Sequence, residues 1–256
     1  MKLTWLGRSC FQLTTRDHTR VLFDPHLDLW RDREKTPFPP PDVICVSHGH
    51  LDHFADVPDL VRGDSPTLVV AIPELCRALR ELVPETQHRL FPLPWNDQVE
   101  LEEMRFFSFR SPPMQTSLYD MCKEFGVSQV MDFLQACRRL ADDILYLPLT
   151  SFGVETRGLR VLHFVAEDEG AGNGIDVGEI GAQFAPDVAL VGIDPGKEQR
   201  SAEYAAALGA PLVIPHHYRA YGQLPAADLD VFTEALRRLA PGTELRFLKE
   251  MESIEL

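Results

Sequence analysis

The sequence predicts an α/β fold, two sheets packed face to face with helices outside. Three observations predict it. Short apolar runs of strand length recur along all 256 residues. Amphipathic stretches at helical spacing alternate with the later runs. The chain also has two halves of similar style, each opening with strands and continuing as strand–helix alternation. Composition agrees, since 45% hydrophobic and 25% charged residues are ordinary for a chain with a sizeable core.

The first strands are Lys2–Leu6, Cys10–Thr15 and Val21–Asp24, separated by Gly7-Arg8 and Arg16–Thr19. Asp32–Asp42 is a charged, proline-rich loop whose backbone cannot continue a ladder. Val43–Ser47 is a continuous apolar run, the pattern of a strand buried on both faces. Thr67–Ile72 is the next strand, and Pro73 opens an amphipathic helix through ELCRALRELV. Val99–Phe109 reads as one strand. Within Met114–Asp143, Val127, Val130, Phe133, Leu134, Cys137 and Leu140 recur at helical spacing, which makes this a helical insertion. Strands Ile144–Phe152 and Leu159–Ala166 follow, joined through the polar turn Glu155–Gly158. Short buried strands Val188–Ile193 and Leu212–Pro215 come after helices Gly174–Phe184 and Gln199–Leu208 respectively. Helix Ala226–Leu239 and strand Glu244–Leu248 close the pattern. No linker is visible, so a single domain over 1–256 is expected, with the insertion at about 114–143.

Lys and Arg total 25 and Asp and Glu 39, a net charge of −14. Such a surface repels phosphate backbones and anionic membranes, so neither nucleic acid nor a membrane is an expected partner. No apolar run approaches the ~20 residues of a membrane span. The five cysteines, Cys10, Cys45, Cys76, Cys122 and Cys137, form no CxxC. Cys45 and Cys76 lie in apolar stretches and read as buried thiols. The first residues carry no basic run followed by a long apolar core, so a cytoplasmic location is expected. A homo-oligomer stays open.

The chemistry is concentrated in Ser47-His48-Gly49-His50-Leu51-Asp52-His53, an HxHxDH phrase directly after a buried strand. A strand end fixes the backbone, and the loop leaving it turns several side chains toward one point. Neutral imidazoles and a carboxylate are donors for Zn, Mn or Fe. Gly49 lets the backbone bend between the first two imidazoles. The plainer alternative is a solvated histidine-rich loop. Asp24, in LFDP, is a candidate acceptor for the N–H of a ligand histidine, with a strand-end turn as the alternative. His26 reads as a surface histidine, and His18 and His88 as solvated. Trp5, Trp30 and Trp95 read as core or cleft wall.

With these residues the chain resembles the metallo-β-lactamase superfamily, whose principal motif is HxHxDH. TWLGRSCFQL and LFDP are similar to the branch containing ascorbate-6-phosphate lactonase and related hydrolases. The resemblance implies a four-layer αββα sandwich with the metal site at one edge of the two sheets. It implies a bridging carboxylate, matched by Asp168 in Glu167-Asp168-Glu169. It implies a last ligand, matched by His217 in Pro215-His216-His217-Tyr218, with His216 behind it or at the surface. The family's remaining histidine falls in a phrase like HSPP. Here the phrase is Phe109-Arg110-Ser111-Pro112-Pro113, which puts Arg110 in its place. A guanidinium has no lone pair to give a metal.

One ligand set is therefore implied complete: Asp52, His53, Asp168 and His217. The other is reduced to His48, His50 and Asp168, with His163, Glu167 and Glu169 as candidate substitutes. A single divalent ion, or a second one held weakly, is expected: zinc first, with manganese or iron as alternatives. Arg110 either replaces the missing metal's charge, stabilises developing charge or clamps an anionic group of the substrate, or else it points outward or pairs with Glu167 or Glu169. The implied function is a metal-dependent hydrolase of a small anionic substrate with a lactone, ester, amide or phosphodiester bond. It would work through a metal-bound hydroxide that Asp52 orients. The alternative is a metal- or ligand-binding protein of the same fold without turnover, which the missing histidine favours.

Overall fold

A computed structural model of the chain describes residues 1–26, 39–112, 122, 126–128, 130–131, 149–166, 175–220 and 225–256. The chain divides into two compact units. The first comprises Met1–Pro94, Ser128–Leu147 and Lys249–Leu256; the second comprises Trp95–Val127 and Pro148–Leu248.

The first unit is built on one sheet. Its strands are β1 (Lys2–Gly7), β2 (Cys10–Thr14), β3 (Arg20–Phe23), β4 (Val43–Cys45), β5 (Leu68–Ala71) and β6 (Leu90–Pro92), adjacent in that order. β1, β2 and β3 are antiparallel neighbours because short turns join them. From β3 to β6 the strands run parallel. Their connections are correspondingly longer and carry helices α1 (Leu51–Phe54), α2 (Val57–Val61) and α3 (Pro73–Leu82). All of β4 and most of β5 is buried, which is why both read as unbroken apolar runs. In α3 the buried Leu75, Cys76, Ala78 and Leu79 recur at helical spacing. The C-terminal strand Ser253–Glu255 pairs antiparallel with β1 and extends that edge.

The second unit repeats the style. Strands β7 (Gln98–Leu101), β8 (Met104–Arg110), β9 (Thr150–Thr156) and β10 (Leu159–Phe164) are antiparallel in sequence order. β11 (Val188–Gly192), β12 (Leu212–His216) and β13 (Glu244–Leu245) then continue parallel to β10. Helices α4 (Val177–Phe184) and α5 (Glu198–Leu208) precede β11 and β12, and α6 (Leu229–Leu239) precedes β13. Each unit thus runs from antiparallel hairpins into parallel strand–helix units, as the two similar halves predict.

Several expectations need correcting. Val99–Phe109 is a hairpin, not one strand. Glu102 and Glu103 turn the chain in two residues, with φ of 51° and 60°. Positive φ at both positions is what such a tight turn requires, but Glu-Glu lacks the Asn-Gly or Asp-Gly signature. Helix α4 begins later than Gly174 because Asp176 caps it, accepting from the Gly178 amide at 2.8 Å. Helix α6 begins later than Ala226 because Asp228 caps the Asp230 and Val231 amides. Strand β6, helices α1 and α2, and the C-terminal strand have no counterpart in the sequence reading. Cys122, Val127, Ser128, Val130 and Met131 are helical, in line with the insertion. Trp30, Phe133, Leu134, Cys137, Leu140 and the start of the Ile144–Phe152 run lie outside the described residues, as does most of the proline-rich loop.

Two glycines in the second unit are fixed by close packing. The Phe184 ring lies 2.6 Å from where a Cβ on Gly153 would stand. A Cβ on Gly181 would stand 2.7 Å from the Leu208 carbonyl oxygen and 2.8 Å from that of Ala207. Backbone atoms cannot swing aside, so helices α4 and α5 depend on that missing side chain. Gly181→Ala is expected to destabilise the protein by about 1–3 kcal/mol, read as a lowered urea midpoint at unchanged slope.

Cys10, Cys45 and Cys76 are buried free thiols, and burial pushes Cys76 up to about 12. Among the described residues no helix is long and apolar enough to cross a membrane.

Candidate metal centre

In the first unit the site grows from the carboxyl ends of two adjacent parallel strands. Asp24 leaves β3 with a φ of 45°, a left-handed conformation that Asp tolerates better than most residues. Its amide donates to the Cys45 carbonyl at 3.0 Å, which pins it beside the end of β4. Its carboxylate then collects three partners. The Ser47 amide donates to Oδ1 at 2.7 Å, the Ser47 hydroxyl donates to Oδ2 at 2.6 Å, and His53 Nδ1 lies 2.7 Å from Oδ2. Asp24, Ser47 and His53 are all buried. Asp24 is therefore the acceptor that the sequence suggested, not merely a turn residue.

This network fixes tautomers. A carboxylate only accepts, so His53 carries its proton on Nδ1. The Ser47 hydroxyl spends its hydrogen on Asp24 and faces His48 Nδ1 at 2.9 Å as an acceptor. Both rings therefore keep Nε2 as the atom able to bind a cation.

The chain bends at Gly49 and His50, without the positive φ that would demand glycine, and enters α1. The His50 carbonyl accepts the His53 and Phe54 amides. Leu51 and Phe54 are buried and anchor that short turn. The His48 ring lies 4.4 Å from that of His50 and 4.0 Å from that of His53. The motif is thus a buried cluster, and the solvated-loop alternative is excluded.

Asp52 Oδ2 lies 3.4 Å from His53 Nε2. Two ligands about 2.1 Å from a tetrahedral ion stand about 3.4 Å apart, so these donors fit one ion. Burial pushes His53 down, but Asp52 and Asp24 outweigh it through charge and hydrogen bonding and raise it to about 10. A metal has to displace that proton.

The same Asp52 oxygen accepts a hydrogen bond from Arg8 Nε at 2.9 Å, with both side chains almost fully buried. Sequence reasoning missed Arg8, because an arginine in a two-residue turn carries no motif.

The second unit repeats one device. His217 follows β12 with a φ of 64°, and its Nδ1 lies 2.8 Å from Oδ1 of Asp194, just past the end of β11. Asp194 was also missed. Its signal was available: VGID ends an apolar strand in Asp, as LFD does. His216 is fully buried, which rules out the surface alternative, and its ring stacks on that of His163 at 5.0 Å. Gly192 lies on the intervening strand, where a Cβ would make ordinary van der Waals contact with the His216 ring at 3.5 Å.

Arg110 ends β8 opposite Thr150, is exposed, and places its guanidinium 5.2 Å above the Trp95 ring. Trp95 Nε1 donates to the Thr150 hydroxyl at 2.9 Å, so the platform under Arg110 is itself fixed. His26 is half-buried, not a surface residue, whereas His18 and His88 are exposed as expected. Glu167, Asp168 and Glu169 lie outside the described residues.

A family profile described as "Beta-lactamase superfamily domain" matches residues 19–117. Igni18, a metallo hydrolase from Ignicoccus hospitalis, superposes with a TM-score of 0.70 at 18% identity, covering 99% of this chain and 97% of that one. The metallo-β-lactamase fold protein YhfI from Bacillus subtilis gives 0.63 at 11% identity, covering 99% and 98%. The fold is that of the metallo-β-lactamase superfamily, an α/β sandwich. A UPF0173 metal-dependent hydrolase from Methanoregula boonei is 31% identical over 242 residues, 93% of this chain and 90% of its relative. Within the superfamily the chain belongs to that family, the UPF0173 metal-dependent hydrolases.

Proposed function

We propose that the protein hydrolyses small, anionic substrates carrying a lactone, ester, amide or phosphodiester bond, with one divalent ion per chain. The carrying observation is the buried imidazole cluster after β4, with Nδ1 of His53 held by Asp24 and Nδ1 of His48 by Ser47. Membership of a hydrolase family supports the reaction class.

Asp52, His53, Asp168 and His217 would hold the ion, zinc first and manganese or iron otherwise; His48 and His50 belong to the reduced set. A bound ion supplies Lewis acidity and a water acidified toward neutral pH. The chain supplies the rest. Arg8 bonds Oδ2 of Asp52 and fixes the carboxylate that would orient the attacking water. Asp24 and Asp194 keep the Nδ1 protons of His53 and His217 in place. Arg110, backed by Trp95, clamps the anionic group of the substrate. We read the two units as halves of one domain over 1–256, acting in the cytoplasm on a small molecule.

The same Arg110 favours a second reading, a ligand-binding protein without turnover. A panel of lactone, ester, amide and phosphodiester substrates separates the two. Hydrolysis that chelation abolishes and zinc or manganese restores is expected, with Arg110→Ala raising KM for anionic substrates more than for neutral ones. Thermal stabilisation by the same compounds without turnover would establish the binder instead.

A further inference from the structure

Arg8 sits where an arginine is expensive. Its φ is 46°, a left-handed conformation unfavourable for a long side chain, and its side chain is only 6% exposed. The surroundings hold it there. Gly7 precedes it at a φ of 122°, and Trp5 Nε1 donates to the Arg8 carbonyl at 2.9 Å. A bulge between Trp5 and Gly7 tightens the same corner of β1 and β2. The result is a fixed guanidinium whose Nε donates to Oδ2 of Asp52. That oxygen is the one that faces His53 Nε2 at 3.4 Å.

We propose that Arg8 is a built-in counter-cation that competes with the metal for Asp52 and so caps the affinity of the site for divalent ions. The proposal rests on the reading of Asp52 and His53 as ligands. Arg8 acts through Asp52 and is a positioning residue. It keeps the carboxylate paired before any ion arrives, and a guanidinium never gives up its charge. An ion sharing Oδ2 meets that fixed positive charge a few ångströms away in a poorly screened setting. Repulsion between a divalent ion and a unit charge there is worth well over tenfold in affinity. The sign separates this role from a merely structural one. A structural arginine, once removed, would loosen Asp52 and weaken metal binding. A competing cation, once removed, strengthens it.

The test is a competition titration of metal-stripped protein with zinc, and separately manganese, against a chromophoric chelator. Arg8→Met keeps the length of the side chain and removes its charge; it is expected to bind at least roughly tenfold tighter than the parent. Arg8→Lys keeps the charge and is expected to stay within about threefold of the parent. If Arg8→Met does not fold, Arg8→Gln, a neutral donor, takes its place with the same expected sign. Equal or weaker binding by the neutral variant overturns the proposal. A parent that binds neither ion shows instead that the metal reading itself fails, and the role of Arg8 falls with it.

Discussion

Asp52→Ala is expected to lower stability by about 3–5 kcal/mol, because it leaves the buried Arg8 guanidinium without its carboxylate. The pair is an unusual place for a large effect. By contrast, Arg62 with Asp59 and Arg200 with Glu203 are exposed i,i+3 pairs worth a few tenths of a kcal/mol. Asp52 and Arg8 are 4% and 6% exposed, so solvent cannot take over the stranded charge. Urea unfolding of the metal-free protein measures the loss. Adding Arg8→Met to Asp52→Leu is expected to recover most of it, since a buried pair replaced on both sides by apolar groups is often neutral. A single Asp52→Ala loss below about 1 kcal/mol would show that the pair is not buried in solution. Under the proposed function the same variant is expected to abolish turnover, because the carboxylate would both bind the ion and orient the water.

Asp24→Asn is expected to weaken metal binding about 10–100-fold, with a smaller effect on folding than Asp24→Ala. The amide oxygen of Asn can still accept the Ser47 amide now bound to Oδ1. Its NH2 group, however, must then face His53 Nδ1, where a carboxylate oxygen now accepts. A donor there forces the proton onto Nε2 and blocks the atom that the proposed site offers to the ion. Asp24→Ala strands the Ser47 amide, the Ser47 hydroxyl and His53 together, at roughly 1–3 kcal/mol for each buried unsatisfied group. Imidazole nitrogen NMR of the two variants reads the tautomer directly. Unchanged metal affinity in Asp24→Asn would contradict the assigned role of Asp24.

The parts of the fold legible in the sequence are those set by local periodicity. Val43–Cys45 and Val188–Gly192 announce themselves as apolar runs because parallel strands are covered on both faces. Helix α3 shows because a proline opens it and its buried positions repeat at helical spacing. What escaped is set by partners far along the chain. Ser253–Glu255 is a strand only because β1 offers an edge about 250 residues earlier. The Glu102-Glu103 turn depends on backbone conformation that its residue types do not favour. The site divides in the same way. HxHxDH is readable because its donors are contiguous, and LFDP because it ends a strand. Arg8 lies 44 residues from its partner and Asp194 23 residues from His217, and no local pattern links either pair.

Elemental analysis of protein purified without chelator and dialysed against metal-free buffer is the most direct test of the single-ion site. One zinc, manganese or iron per chain is predicted, retained by the parent and lost in Asp52→Ala. Two tightly held ions per chain, or none after loading with zinc and manganese, would contradict it.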